Sequence, residues 1–338
     1  MKLGRYAAAP VCIAAFAAGA AAAEPVAIHV GWATTPSHIQ PLVDELQQRH
    51  PELFRHFGKS YTAEGLRFAG SSPQIQAMAA GQLEIAAFSP SALALAVVNA
   101  HLDLRIVADC LQDGTDGHFS VPYVVRPDGS IKTIEDLKGK RVASNAVGSS
   151  NDAAMRVMLH RHGVQDGDFT TVQTNFSNMP AMIDEDKVDL IPVMPEFNRP
   201  LVESGKYRVL FTQMDAVGPA QTVLWTIEAD FIKAHRPALV DFFEDHLRVV
   251  RWFLDPAHHD EAVAIAEAVT KQPRENLNFI FTKADIYRDP NGRPDVAAVQ
   301  REIDEMVALG VVPQRVAVSP AYVDLSLIRE AEHRLAVQ

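Results

Sequence analysis

From Val26 onward the chain alternates short apolar runs with stretches whose apolar residues recur every three or four positions. Val26 to Val30 reads as a strand. Ile39, Leu42, Val43 and Leu46 then share one face of a helix, for which Thr34-Thr35-Pro36 predicts a capped start. Leu66 to Ala69 predicts a second strand, and Gly70-Ser71-Ser72-Pro73 leads into a helix carrying Ile75, Met78 and Ala79 that Gly81 closes. Leu83 to Phe88 predicts a third strand, with Ser89-Pro90-Ser91 opening the apolar helix Leu93 to Val98.

The middle of the chain repeats this rhythm. Strands are predicted at Val121 to Val125, Arg141 to Ser144, Thr170 to Gln173, Val188 to Met194, Tyr207 to Phe211 and Val223 to Ile227. Between them lie a capped turn at Thr133 to Leu137, a helix from Ala153 to His162 stopped by Gly163, and a short helix at Pro180 to Asp184. From Pro237 the pattern is helical, with Leu239, Phe242, Phe243, Leu247, Val250 and Phe253 on one face. Strands that alternate with helices predict an α/β fold with a mainly parallel sheet.

Three strands therefore end in small polar loops that open helices, at Gly70-Ser71-Ser72, Ser89-Pro90-Ser91 and Gly148-Ser149-Ser150-Asn151. The free amides of a helix N-terminus carry the positive end of its dipole, and glycine and serine let an anion approach closely. In open α/β sheets ligands bind at the carboxyl ends of the strands. The three loops together predict a cleft for a small anion.

Composition narrows the setting. Lys2 and Arg5 precede an alanine-rich run from Ala7 to Ala22 that ends in small residues before Glu24, the pattern of a secretory signal peptide cleaved after about Ala23. Val11 before Cys12 does not suit a lipid-anchored form. Without residues 1–23 there are 29 basic residues against 42 acidic ones, a formal charge of −13. That balance disfavours nucleic acid and anionic bilayers as partners. Of the two cysteines only Cys110 remains, so no internal disulfide is available. The length predicts two lobes rather than a single core.

Other chemistries find little support. Gly58-Lys59-Ser60 lacks the first glycine of a phosphate loop, which would fall at Leu53. No serine lies in a GxSxG elbow. Cys110 reads as a structural cysteine more readily than as a nucleophile. His258-His259-Asp260-Glu261 reads as a helix start with acidic first-turn residues, and His160 and His162 point to different sides of their helix. No cofactor and no metal site are expected.

With these pieces in order, the chain resembles the periplasmic solute-binding proteins of ABC importers, of the nitrate, sulfonate and taurine type that includes binders of thiamine precursors. The resemblance rests on Gly70-Ser71-Ser72-Pro73 through Ala80-Gly81-Gln82-Leu83-Glu84-Ile85, on Ile134 to Ala143 with Gly148-Ser149-Ser150 after it, and on Lys187-Val188-Asp189-Leu190 followed by Pro195. Gly310-Val311-Val312-Pro313 and Tyr322-Val323-Asp324 resemble the family's tail. Departures are Glu84 where aspartate is usual, a long charged segment from Arg49 to Ala63, and no cysteine-rich signature of pyrimidine-synthesising relatives.

The resemblance implies a two-lobed, type II binding-protein fold with two crossovers. Glu24 to Ser120 with Thr226 to Gln338 would form lobe one, and Val121 to Trp225 lobe two. It implies a monomeric receptor, not an enzyme, that hands a sulfonate or carboxylate to a membrane permease without inserting in the bilayer itself. By position the contacts expected are Trp32, Thr34, Thr35, Ser71, Ser72, Phe88 and Ser89 from lobe one. Ser149, Ser150, Asn151, Phe176, Asn178, Glu196 and Phe197 are expected from lobe two. The alternatives are an enzyme on the same fold using Cys110 or a cleft serine, and a sensor for a signalling partner.

Overall fold

The structure, a computed structural model, describes residues 24–196, 202 and 204–337. Two mixed sheets of the same topology organise it. In the first, β1 (Val26–Trp32) pairs in parallel with β2 (Tyr61–Arg67), and β3 (Ala86–Phe88) joins β1 through the parallel bridge of Val30 with Ile85. β10 (Ala220–Glu228) then lies antiparallel between β3 and β4 (Leu104–Asp113). In the second, β6 (Arg141–Ser144) pairs in parallel with β7 (Thr170–Gln173) and with the segment leading to β8 (Ile191–Pro192). β5 (Pro122–Val125) runs antiparallel between β8 and β9 (Arg208–Thr212).

The parallel character expected from the sequence thus holds for three strands of each sheet. The antiparallel member is the strand by which the chain arrives from the other half. β4 leaves the first sheet at Asp113 and β5 begins at Pro122. The return runs through α6 (Gln213–Val217). The junction of Trp225 and Thr226, where the sequence suggested the return, falls inside β10, which pairs with β4 from Ala220 to Glu228. The two passages are tied together, because Gln213 N donates to Val121 O at 2.8 Å and Met214 N to Ser120 Oγ at 2.8 Å.

Helices cover the sheets where apolar periodicity placed them: α1 (Gln40–Arg49), α2 (Ser72–Ala79), α3 (Pro90–Asn99), α4 (Ser150–Arg161) and α5 (Met179–Asp184). The long α7 (Ala229–Leu254) carries Pro237 and bends at His235, where the ring removes a helix hydrogen bond. Its buried face includes Leu239, Phe242, Phe243, Leu247, Val250 and Phe253, as the spacing predicts. α8 (His259–Thr270) opens with Asp260 and Glu261, and α9 (Val296–Ala308) and α10 (Ser326–Ala336) follow. The tail rejoins the first sheet: Ile106 N donates to Tyr322 O at 2.8 Å and Asp324 N to Ile106 O at 2.9 Å. Among the described residues no helix is long and apolar enough to cross a membrane.

Two expectations shift. α1 starts at Gln40, not at Thr34, and Ile39 at its cap position offers no side-chain bond; residues 34–39 form an irregular turn instead. β2 begins five residues before the predicted Leu66, within the charged segment, because it is an edge strand whose middle positions are exposed and polar. That segment docks through one carboxylate on α7. The amides of Arg55 and His56 and the Tyr61 hydroxyl all donate to Asp245, at 3.1, 2.9 and 3.0 Å.

Candidate ligand-binding cleft

The carboxyl ends of β1, β2 and β6 converge between the two sheets, each emptying into a loop of small polar residues. Residues 33–38 follow β1, Gly70 and Ser71 open α2, and Asn145 to Asn151 lead from β6 into α4. Around a cavity of about 50 Å³ they bring Thr34, His38, Ser71, Asn145, Ser149, Ser150 and Asn151 together. The apolar share of the wall includes Leu111, Phe176, Met194, Val223 and Ile286. This volume holds roughly four waters, so it suits a small ligand. A more open space of about 230 Å³ adjoins it, sharing Ala33, Thr34 and Phe176, and Arg67 stands at this mouth with its guanidinium 5.7 Å from the Trp32 ring centre.

The two halves touch around the cavity. Asn145 Nδ2 donates to Ala69 O at 3.2 Å, Ser72 Oγ to Val147 O at 2.7 Å, and Ser91 Oγ to Gly148 O at 2.9 Å. Ser37 Oγ lies 2.9 Å from each carboxylate oxygen of Glu196. Gly70 leaves room for this approach, since a Cβ there would lie 2.6 Å from Asn145 Nδ2 and displace that side chain.

α4 points its N-terminus at the cavity. Ser149 caps it, accepting from Asp152 N, while its own hydroxyl donates to Asn145 Oδ1 at 2.9 Å. Gly148, at φ +74, sets the turn, and its amide donates to Asp152 Oδ2 at 2.9 Å. Among the described residues the amides of Ser150 and Asn151 have no acceptor, so two donors at the positive end of a twelve-residue helix face the cavity wall. Among the described residues no lysine or arginine, and no aspartate or glutamate, lines the cavity itself.

Burial sets the protonation of the groups close by. His38 is pushed down to about 3 by desolvation, aided by the charge of Arg288, so its ring is neutral. Glu196 is pushed up to about 7 by burial, against the hydrogen bonds of its own backbone and Ser37. Burial also raises the Cys110 thiol well above its usual value, which keeps it protonated and a poor nucleophile. Ser149 donates to an asparagine and Ser150 Oγ accepts from Gln213 Nε2 at 3.3 Å, so no base activates either.

Of the residues expected from sequence, Thr34, Ser71, Ser149, Ser150, Asn151 and Phe176 line the cavity. Glu196 sits beside it, bonded to Ser37. The others lie elsewhere. Phe88 is fully buried in the core of the first sheet, paired with Leu224. Ser89 is consumed: its amide donates to Ser71 Oγ at 3.0 Å, its hydroxyl accepts from Ala92 N and donates to Gly148 O at 3.2 Å, and Pro90 has no amide to offer. Ser72 joins the halves without lining the cavity, Trp32 and Thr35 are half-buried outside it, and Asn178 is exposed. Phe197 lies outside the described residues.

Sequence reasoning placed Gly70 in a cleft loop but missed His38, Leu111, Asn145, Met194, Thr222, Val223 and Ile286. Asn145 stands just past a strand end, where the same rule that found its neighbours applies. Nothing local marks the others.

A family model described as NMT1/THI5 like matches residues 64–257, more than half of the chain. No curated protein matches its sequence significantly. Solved structures share the fold at low identity. The alkanesulfonate-binding protein SsuA from Xanthomonas axonopodis pv. citri, bound to MOPS, is 19% identical with a TM-score of 0.69, over 90% of this chain and 99% of that one. The periplasmic aliphatic sulphonate binding protein SsuA from Escherichia coli is 17% identical at a TM-score of 0.60, over 91% and 92%. The periplasmic nitrate-binding protein NrtA from Synechocystis PCC 6803 is 14% identical at a TM-score of 0.68, over 93% and 90%. The chain has the two-sheet fold of periplasmic binding proteins.

Proposed function

The chain belongs to the NMT1/THI5-like family, and from that premise we propose that it is the periplasmic receptor of an ABC importer, capturing a small organic anion in the cleft between its two halves. Export would remove residues 1–23. The head of the ligand, a sulfonate or carboxylate, rests on the Ser150 and Asn151 amides, and its apolar body lies against Phe176, Met194 and Leu111. The observation that carries this reading is the pair of amides at the N-terminus of α4 that have no partner among the described residues, beside a cavity on whose wall no described side chain is charged. A dipole end binds an anion without the desolvation cost of a buried arginine. Arg67 at the mouth supplies attraction from outside.

The same features favour reversible capture over turnover, since neither Cys110 nor a cleft serine has an activating base. Titration calorimetry with a panel of sulfonates and carboxylates tests the reading. At least one is expected to bind with micromolar affinity or better, and Ser150→Trp, which fills the space before the two amides, is expected to weaken it at least roughly a hundredfold. Absence of binding across the panel, or an unchanged affinity in Ser150→Trp, would refute it.

A further inference from the structure

Three side chains of the cleft cavity carry a buried polar atom with no hydrogen-bond partner among the described residues: His38 Nε2, Asn151 Oδ1 and Thr222 Oγ1. Their residues are 4%, 8% and 7% exposed, and they come from the turn after β1, the first turn of α4 and the middle of β10. A buried polar atom without a partner destabilises the fold that holds it, so three around one cavity call for a shared explanation.

Their chemistry is complementary. The Thr34 amide donates to His38 Nδ1 at 3.4 Å, which leaves the hydrogen on Nε2 as a donor, and burial keeps the ring neutral. Asn151 Nδ2 faces the Met194 sulfur at 4.0 Å, leaving Oδ1 as an acceptor. The Thr222 hydroxyl is both donor and acceptor.

The backbone departs from regularity to present Thr222. Neighbouring residues of a strand face opposite sides, yet Thr222 and Val223 both line the cavity. The register of β10 against β4 jumps between Gln221, opposite Gln112, and Val223, opposite Leu111, so Thr222 is the extra residue of a β-bulge. Bulges re-aim side chains beside binding sites at the expense of ladder pairing.

We propose that the captured solute carries, besides its anionic head, an uncharged hydroxyl group, and that Thr222, with His38 and Asn151, is the set that recognises it. This rests on the cleft reading given above and names the ligand more narrowly. Among the described residues no carboxylate lines the cavity to meet an ammonium in the same place, and Glu196 beside it is engaged by Ser37.

Matched ligands separate the two claims. Calorimetry on the purified protein compares isethionate with ethanesulfonate, lactate with propanoate, and p-hydroxybenzoate with benzoate, with taurine as the ammonium analogue. At least one hydroxylated member is expected to bind roughly tenfold tighter than its plain twin, and taurine weaker than isethionate. Thr222→Val removes an unpartnered hydroxyl without changing shape, so the unliganded variant is expected to melt no lower than the parent while the ratio within the pair collapses toward one. Asn151→Leu repeats the measurement should Thr222→Val fold poorly. If no compound of any pair binds, the cleft reading itself fails. If plain and hydroxylated twins bind alike, or if taurine matches isethionate, hydroxyl recognition is overturned and the cleft reading stands; if the ratio survives both substitutions, the assignment of that recognition to Thr222 and Asn151 is overturned.

Discussion

Glu196 joins the two halves of the molecule through a carboxyl group that burial holds near neutrality, and replacing it with glutamine measures what that contact is worth. Both of its oxygens accept from Ser37 Oγ at 2.9 Å. Burial, then the charge of Asp285, raises its pKa from 4.5 to about 7, opposed by hydrogen bonds from its own backbone, Ser37 and Thr34. A raised carboxyl favours the protonated folded state. Its contribution is therefore complete below the unfolded value of 4.5 and is lost as pH rises through 7. The difference between those two values corresponds to about 3 kcal/mol. Glutamine stays neutral at every pH and keeps a similar shape. Asp109, Asp113 and Glu302 are also raised by burial, to about 7, 7 and 8, and titrate in a similar window. They are present in both proteins, so subtracting the two profiles removes them. Urea unfolding at intervals from pH 4.5 to 8 is expected to show the parent losing about 3 kcal/mol relative to Glu196→Gln across that range. Parallel profiles would refute a buried, proton-holding Glu196.

Two other substitutions separate core from cleft. Phe88→Ala removes a fully buried ring from the first sheet and is expected to cost about 3–5 kcal/mol in denaturant unfolding; a cost near zero would return Phe88 to the cavity wall. Gly148→Ala puts a side chain at φ +74, with its Cβ 3.1 Å from Leu95 Cδ1, and is expected to destabilise by about 1–3 kcal/mol while lowering affinity for whichever anion of the panel binds the parent, both read by calorimetry.

The repeated strand, small loop and helix was legible because each unit depends on local chemistry. Apolar runs bounded by glycine and serine mark β1, β3 and β6, and the 3.6-residue spacing of Leu239 to Phe253 marks α7 without help from tertiary structure. β2 was misplaced because an edge strand buries little. Only Tyr61 among its seven residues is buried, so the strand reads as a charged loop until Asp245 of α7 is seen gathering Arg55, His56 and Tyr61. The return crossing was misplaced for a related reason. Nothing in the run Ala220 to Glu228 marks where one sheet is left for the other, since every residue but the last is buried in the same strand.

The binding site divides along the same line. Ser71, Ser149, Ser150 and Asn151 were legible because a polar residue just past a strand, at the start of a helix, is placed by the local backbone alone. Phe88 and Ser89 satisfy the same local rule and still fail. The Ser89 donors of the loop after β3 are spent on Ser71 and Gly148 of the two loops that do reach the cavity. A third helix start therefore supports the cleft instead of lining it. Thr222 is the converse case: mid-strand by pattern, it reaches the cavity through a register jump against β4, a partner more than a hundred residues away in sequence. On the proposed reading, the groups that would grip a charge shared by many solutes come from such local turns, whereas the group that would select one solute is delivered by a long-range irregularity. Ligand class is thus the part of this function that sequence pattern carries least, and the bulge at Thr222 is where the structure adds most to it.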